Sequence, residues 1–290
     1  MNHIVLVLTV LVATTLCRAA EPPRNPHASP SDLVVKYPER RELPGQLLKN
    51  DWGEIFIPDF FNGQTGKTDL VVWFSGTPWC VEQNFYDATK NAVLVVVRDA
   101  QVDRKFDDPA RFRNLLIDTA KALAKAKVAD QPFGRICLGV WGKGLFSVRS
   151  ILQQNEFIPH ITDVVIAHSL LTPTFRDGTA NPKELVPYID YAKRAAKGDC
   201  TLLISVTYLD DEKHQRIGSI GNANLLIAAA GAERKPTTER ASTGESIMYR
   251  ADLERFHIFC WEAANRLQNT WDHLFACGDL LKQISFENAK

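Results

Sequence analysis

The sequence predicts an α/β protein, a single doubly wound and mostly parallel sheet with helices on both faces. Three observations predict it. Short apolar runs alternate with amphipathic segments along the chain. Several runs, such as Val93–Val97, are continuously apolar, as strands covered on both faces are. At Arg135–Leu152 (RICLGVWGKGLFSVRSIL) an apolar run passes through a glycine turn directly into a helix-like segment. Strand, crossover helix and strand in repetition build a parallel sheet.

The elements follow in order. Ile4–Leu16 is apolar but too short to span a bilayer comfortably, and Cys17-Arg18-Ala19-Ala20 follows it. That pattern reads as a secretory signal over residues 1–20, cut near Ala19 or Ala20, with a retained anchor as the other reading. It implies a secreted or periplasmic protein with no stable membrane span after cleavage. Residues 21–44 are rich in proline and charge and read as a flexible leader. Residues 45–290 then form one domain. Its strand-like runs are Glu54–Ile57, Leu70–Phe74, Val93–Val97, Arg135–Val140, Asp163–Ala167, Thr201–Thr207 and Phe256–Trp261. Its helix-like segments are Pro109–Lys127, Leu145–Gln154, Pro182–Lys197, Ile220–Ala230 and Trp271–Ile284. Pro109 and Pro182 suit a first helical turn, where the missing N–H costs nothing. Glu233–Glu245 is polar and reads as an excursion before the last strand.

Composition removes several function classes. The chain has 290 residues, with 34 Lys and Arg against 34 Asp and Glu, and no long run of one sign. Neither nucleic acid nor a polybasic membrane contact is implied. Of 6 cysteines, Cys17 lies in the signal, and Cys80, Cys137, Cys200, Cys260 and Cys277 remain. An odd number leaves at least one unpaired in a monomer, and Cys137 and Cys260 sit within apolar runs as small buried hydrophobes. No C-x-x-C pair or zinc-like spacing occurs, so no metal is expected. Gly63-Gln64-Thr65-Gly66-Lys67-Thr68 ends like a phosphate-binding loop, but position 61 is Phe and a strand follows instead of a helix. Gly139, Gly142 and Gly144 do not have the dinucleotide spacing. No cofactor is implied.

The chemistry-bearing residues follow strands, where open parallel sheets place their sites. Phe74-Ser75-Gly76-Thr77-Pro78-Trp79 is a glycine-containing strand exit, and Trp141-Gly142-Lys143-Gly144 is the bend after a central strand. Asp210 and Asp211 follow Thr201–Thr207, and His273 follows the last strand. Each has a plain structural alternative, the aspartates capping a turn and Asp272-His273 opening the terminal helix. His168, after Ala167, is a further pocket candidate, whereas His257 falls inside a strand and reads as a packed histidine.

On these motifs the chain, from about Trp52 onward, resembles α/β-hydrolase-fold proteins of the bacterial esterase-like kind. The resemblance implies acyl transfer through a serine on the bend, a histidine base, an acid, and two backbone N–H donors. Carried onto this chain, Gly142 stands at the nucleophile position and is vacant, with Gly144 and Val140 as its flanking positions. Asp210 or Asp211 would be the acid and His273 the base. Ser75, Gly76, Thr77 and the Lys143 backbone N–H would hold an oxyanion. Glycine cannot form an acyl-enzyme, and loss of a serine nucleophile costs roughly a million-fold in turnover.

Three readings remain open at this point. The first is a catalytically degenerate protein that keeps a pocket for a small ester-like or anionic ligand or a protein partner. The second is an active ester or amide hydrolase with a relocated nucleophile (Ser75 or Cys80) or a water activated by His273. The third is an interaction protein whose pocket is a relic. Lys143 is either part of an anion site at the helix start or a solvated surface lysine.

Overall fold

The computed structural model describes residues 39–63, 66–98, 104–168, 170, 181–208, 219–262 and 272–289. The strands are β1 (Gly45–Lys49), β2 (Gly53–Pro58), β3 (Thr68–Phe74), β4 (Val93–Val97), β5 (Phe133–Trp141), β6 (Ile161–Ala167), β7 (Thr201–Tyr208), β8 (Arg234–Pro236), β9 (Ile247–Leu253) and β10 (Phe256–Glu262). The helices are α1 (Pro78–Asp87), α2 (Pro109–Lys125), α3 (Leu145–Leu152), α4 (Pro182–Ala195), α5 (Ser219–Ala230) and α6 (Cys277–Leu281). All the strands join one 10-stranded sheet in the order β1-β2-β4-β3-β5-β6-β7-β10-β9-β8. From β4 to β10 every pairing is parallel, and antiparallel strands close both edges. This is the α/β-hydrolase type of sheet that the sequence predicts. No described helix is long and apolar enough to cross a membrane.

Period-two alternation sorts the strand side chains onto two faces. Val72, Phe74, Leu138, Val140, Val164 and Ile166 pack on the side that carries α2, α3, α4 and α5. Val71, Trp73, Cys137, Val165, Leu203 and Phe259 pack on the other side, with residues of α1 and α6. Burying each large apolar side chain stabilises the fold by about 1.5–3 kcal/mol. Asp108 caps α2 by accepting from the Ala110 N–H at 2.9 Å, and Asn181 caps α4 from the Lys183 N–H at 3.2 Å. Pro109 and Pro182 occupy the first turns, as expected.

The carboxyl-terminal segment closes the opposite end of the sheet. Buried Lys90 donates to the Ile284 and Phe286 carbonyls, both at 3.3 Å. Asp163, fully buried, accepts from the Ser285 N–H at 2.7 Å and the Ser285 hydroxyl at 2.6 Å. Arg135 joins Asp69 and donates to the Ser285 carbonyl at 2.9 Å. Cys80, Cys137, Cys200, Cys260 and Cys277 are all buried and free of disulfides. At the amino-terminal side of β1, the Arg41 N–H donates to the Gln83 side chain, and Gln83 donates to the Glu39 carbonyl, so residues 39–41 lie against α1.

Each strand expected from sequence is present. Four elements were not expected, namely β1, β8, β9 and α1. β1 and β8 are short, exposed edge strands whose outward residues carry no apolar alternation. β8 falls within the segment expected to be an irregular excursion. α1 buries Glu82 and Gln83 beside Cys80, Val81 and Phe85, so its inner face does not read as apolar. The terminal helix is shorter than expected, since its α-helical turns at 272–275 are separated from α6 by Ala276.

One glycine is fixed by the packing of the sheet's centre. A Cβ on Gly139 would lie 2.1 Å from Cε3 of the fully buried Trp73. Gly139→Ala therefore forces the indole off the sheet and is expected to destabilise the protein by about 3 kcal/mol, the upper part of the overpacking range. A urea midpoint unchanged from wild type would contradict this packing.

Candidate functional site

The strand order reverses around β3. From β3 the chain moves outward through α1 to β4, and from β5 it moves the other way through α3 to β6. The crevice between the carboxyl ends of β3 and β5 is therefore the switch point, where open α/β sheets bind ligands. Pairing of Phe74 with Val140 sets the strand exit Ser75-Gly76 beside the bend Trp141-Gly142.

Both turns hold backbone in the left-handed region. Ser75 has φ 71° and is almost fully buried, and Gly76 follows with φ 104°. A non-glycine residue held there stores strain, and such outliers cluster at functional sites. Thr77 is the N-cap residue of α1, but its side chain makes no capping bond. On the other strand Gly142 has φ 61°, opens a 3-10 turn through Gly144, and leads into α3. The bend is the strand–turn–helix unit predicted for Arg135–Leu152. A Cβ on Gly142 would meet nothing within 4 Å, whereas one on Gly144 would lie 2.4 Å from the Phe74 carbonyl oxygen. Gly144 thus lets the start of α3 sit against the end of β3, while Gly142 is set by its φ and faces open space. Lys143 is exposed, and Ser147 is buried on the sheet side of α3.

His273 lies on the α1/α6 face, beyond the end of β10. It is fully buried. Its Nδ1 is 2.6 Å from the Ser205 hydroxyl and its Nε2 is 2.7 Å from the Thr207 hydroxyl. One ring nitrogen donates and the other accepts, so the hydroxyl facing the accepting nitrogen must donate. The ring stacks on Trp261 at 3.9 Å and 10°, and His168 stacks on it at 4.6 Å and 29°. His168 has φ 51°, is half-buried, and donates its N–H to the Ser205 carbonyl at 3.0 Å. Pairing of Trp141 with Ala167 places His168 next along from Gly142, at the tip of the adjacent strand.

Leu274, the neighbour of His273, ties this segment to the β3 exit. A Cβ on Gly76 would come within 3.0 Å of its Cδ1, and the Cys80 thiol faces its carbonyl at 3.7 Å. The strand exit, the bend, His168 and His273 therefore gather around the carboxyl ends of β3, β5, β6 and β7. Asp210 and Asp211 lie outside the described residues. The partners that β7 gives His273 among the described residues are Ser205 and Thr207. The sequence carries a faint sign of them, hydroxyl residues at two-residue spacing in an otherwise apolar strand. Trp261, which flattens the imidazole from the other side, had no such sign.

Burial, and the neighbouring His168, push the His273 pKa well below its ordinary 6.5. A proton is hard to add to this ring, and both nitrogens are engaged. In this arrangement His273 acts as a base toward any further group only if it gives up the hydroxyl that its accepting nitrogen faces. Burial pushes the Cys80 thiol up to about 12, so it stays protonated at neutral pH and is a poor nucleophile. Among the described residues no cluster of three or more His, Cys, Asp or Glu is arranged to hold a metal ion.

No protein-family model matches the chain, and no curated protein matches it in sequence. Solved structures do resemble it. A serine-to-alanine mutant of the feruloyl esterase module from Clostridium thermocellum, complexed with sinapinate, superposes with a TM-score of 0.49 at 9% identity, covering 86% of this chain and 93% of that one. The siderophore hydrolase EstB from Aspergillus nidulans superposes at 0.45 and 11% identity, covering 85% of this chain and 97% of that one. Likeness this distant carries no activity across. The fold class rests on the strand order and the crossovers described above.

The burial of His273 has a consequence for acid stability. In the unfolded chain the imidazole takes up a proton as pH falls through about 6.5, whereas the folded ring resists until well below that. Over that interval the unfolded state binds more protons, so stability falls on acidification by up to about 1.4 kcal/mol per pH unit. Urea unfolding at several pH values is expected to show this slope in the wild type and a smaller one in His273→Gln.

Proposed function

We propose that the protein is a catalytically degenerate relative of esterase-like hydrolases, which keeps the crevice for a small ester-like or anionic ligand and has lost covalent ester cleavage. The observation that carries this reading is Gly142. It stands at the bend after the central strand with φ 61° and open space where a side chain would project. No oxygen or sulfur is present there to attack a carbonyl. The engagement of His273 with Ser205 and Thr207 supports the same reading, because the hydroxyl that its accepting nitrogen faces belongs to a buried β7 residue and not to the bend. A secreted or periplasmic site of action is part of the proposal and rests on the signal-like residues 1–20.

The expected results are concrete. Purified protein turns over short p-nitrophenyl esters no faster than buffer and takes no label from a fluorophosphonate. Gly142→Ser folds with about 1–2 kcal/mol of backbone strain, since its φ is positive and nothing within 4 Å opposes the new side chain, and it too remains unlabelled while the imidazole is occupied. Ester turnover by the wild type that disappears in His273→Ala would overturn the proposal in favour of an active hydrolase.

A further inference from the structure

Residues 39–44 run along α1 toward the β3 exit. The Pro44 carbonyl accepts from the Asp59 N–H at 3.4 Å, and Asp59 accepts from the Tyr86 hydroxyl at 3.3 Å, so this end lies beside the last turn of α1. Leu43 packs against the core on that face. Arg41 pairs with Asp87, and its guanidinium lies 5.9 Å from the centre of the Tyr86 ring. One turn further back along the helix, the Gln83 amide accepts from the Arg41 N–H at 3.2 Å and donates to the Glu39 carbonyl at 3.0 Å. An extended residue, here Arg40, offers these two flanking groups to one side. Traced toward its amino terminus, the chain therefore leaves Asp59 and heads for the first turn of α1.

The helix presents one stripe to this segment. Trp79, Glu82, Gln83 and Tyr86 have the i, i+3, i+4, i+7 spacing of a single face. The middle of the stripe is covered, and Glu82 and Gln83 are both buried. Burial and the neighbouring Glu54 carboxylate push the Glu82 pKa up to about 7, and the charges of Arg40 and Lys49 oppose that rise. At the upper end Trp79 is half-buried, and its ring lies 6.2 Å from that of half-buried Phe275, an aromatic shelf beside the β3 exit. Trp79 stands about 6 Å beyond Gln83 along the helix. An extended chain covers about 3.3 Å per residue, so two residues before Glu39 reach that level. The sequence there is Leu33-Val34-Val35-Lys36-Tyr37, a β-type run within a leader otherwise rich in proline and charge.

We propose that residues 33–37 of this chain dock on the shelf formed by Trp79 and Phe275, continuing the extended path through Arg40, and so border the crevice on its α1 side. Period-two alternation puts Leu33, Val35 and Tyr37 on one side, an apolar face to set against the two rings. The occupant is the protein's own leader because the clasp at Gln83 delivers it there already tethered. A short tether gives an effective concentration on the order of millimolar, against which a freely diffusing partner must compete. Docking there does not depend on whether the crevice at Gly142 holds a ligand.

The full chain carrying the photoreactive p-benzoylphenylalanine in place of Val35 tests the contact directly. After irradiation and digestion, the expected product is a single chain in which residue 35 is joined to a peptide containing Trp79 or Phe275. A second measurement uses acrylamide quenching of indole fluorescence. Leu33→Asp with Val35→Asp sets charge against the shelf and is expected to raise the quenching, because Trp79 is uncovered. The same pair of substitutions in Trp79→Phe is expected to leave the quenching unchanged. A product that joins two chains overturns the proposal in favour of a second copy on the shelf. A product elsewhere on the domain, or no product, overturns the docking. Quenching that the aspartates do not alter, or that they raise equally in Trp79→Phe, overturns it as well.

Discussion

The close approach of β3 and β5 at the centre of the sheet is the constraint on which the rest of the molecule depends. Backbone pairing holds it, and two glycines accommodate it by supplying no side chain. Gly139 lets the Trp73 indole lie flat across the neighbouring strand, and Gly144 lets the first turn of α3 touch the end of β3. The second contact seats the start of α3 against the strand exit, and the pairing of Phe74 with Val140 sets the bend beside Ser75 and Gly76. The crevice at the switch point is thus a product of packing beneath it. Its two left-handed turns face one another because the strands below cannot move apart.

The same physics explains what could be read in advance. β3, β4, β5, β6, β7 and β10 are covered on both faces, so burial demands unbroken apolar sequence and the runs announce themselves. β1 and β8 lie at the edges, where exposed polar residues are tolerated and the signal fades. α1 hid for another reason, because it buries Glu82 and Gln83 among its apolar residues. The bend was legible because glycine spacing and the strand–helix transition are local properties. The surroundings of His273 were not, because its hydroxyl partners stand 66 and 68 residues away. No local pattern specifies a contact closed only when the sheet has assembled. The expected acid, Asp210 or Asp211, falls outside the described residues.

His273 illustrates how tertiary context decides a residue's chemistry. An imidazole exposed at the mouth of a crevice titrates near neutrality and trades protons readily. This ring lies between an indole and a second imidazole, with a hydroxyl at each nitrogen. It gains packing and hydrogen bonds and gives up access. The groups that hold it come from β6, β7 and β10, so it joins the far half of the sheet to the segment that covers the β3 exit through Leu274.

The positive φ of Gly142 has a last implication, for how stability and reactivity compete. Any side chain at that bend would be kept in a conformation that costs an L-residue about 1–2 kcal/mol. Against a total folding free energy of only about 5–15 kcal/mol that sum is substantial. A chain with glycine there carries no such debt, so the bend is held without backbone strain. A demand for a sturdier fold is by itself enough to favour glycine at this bend.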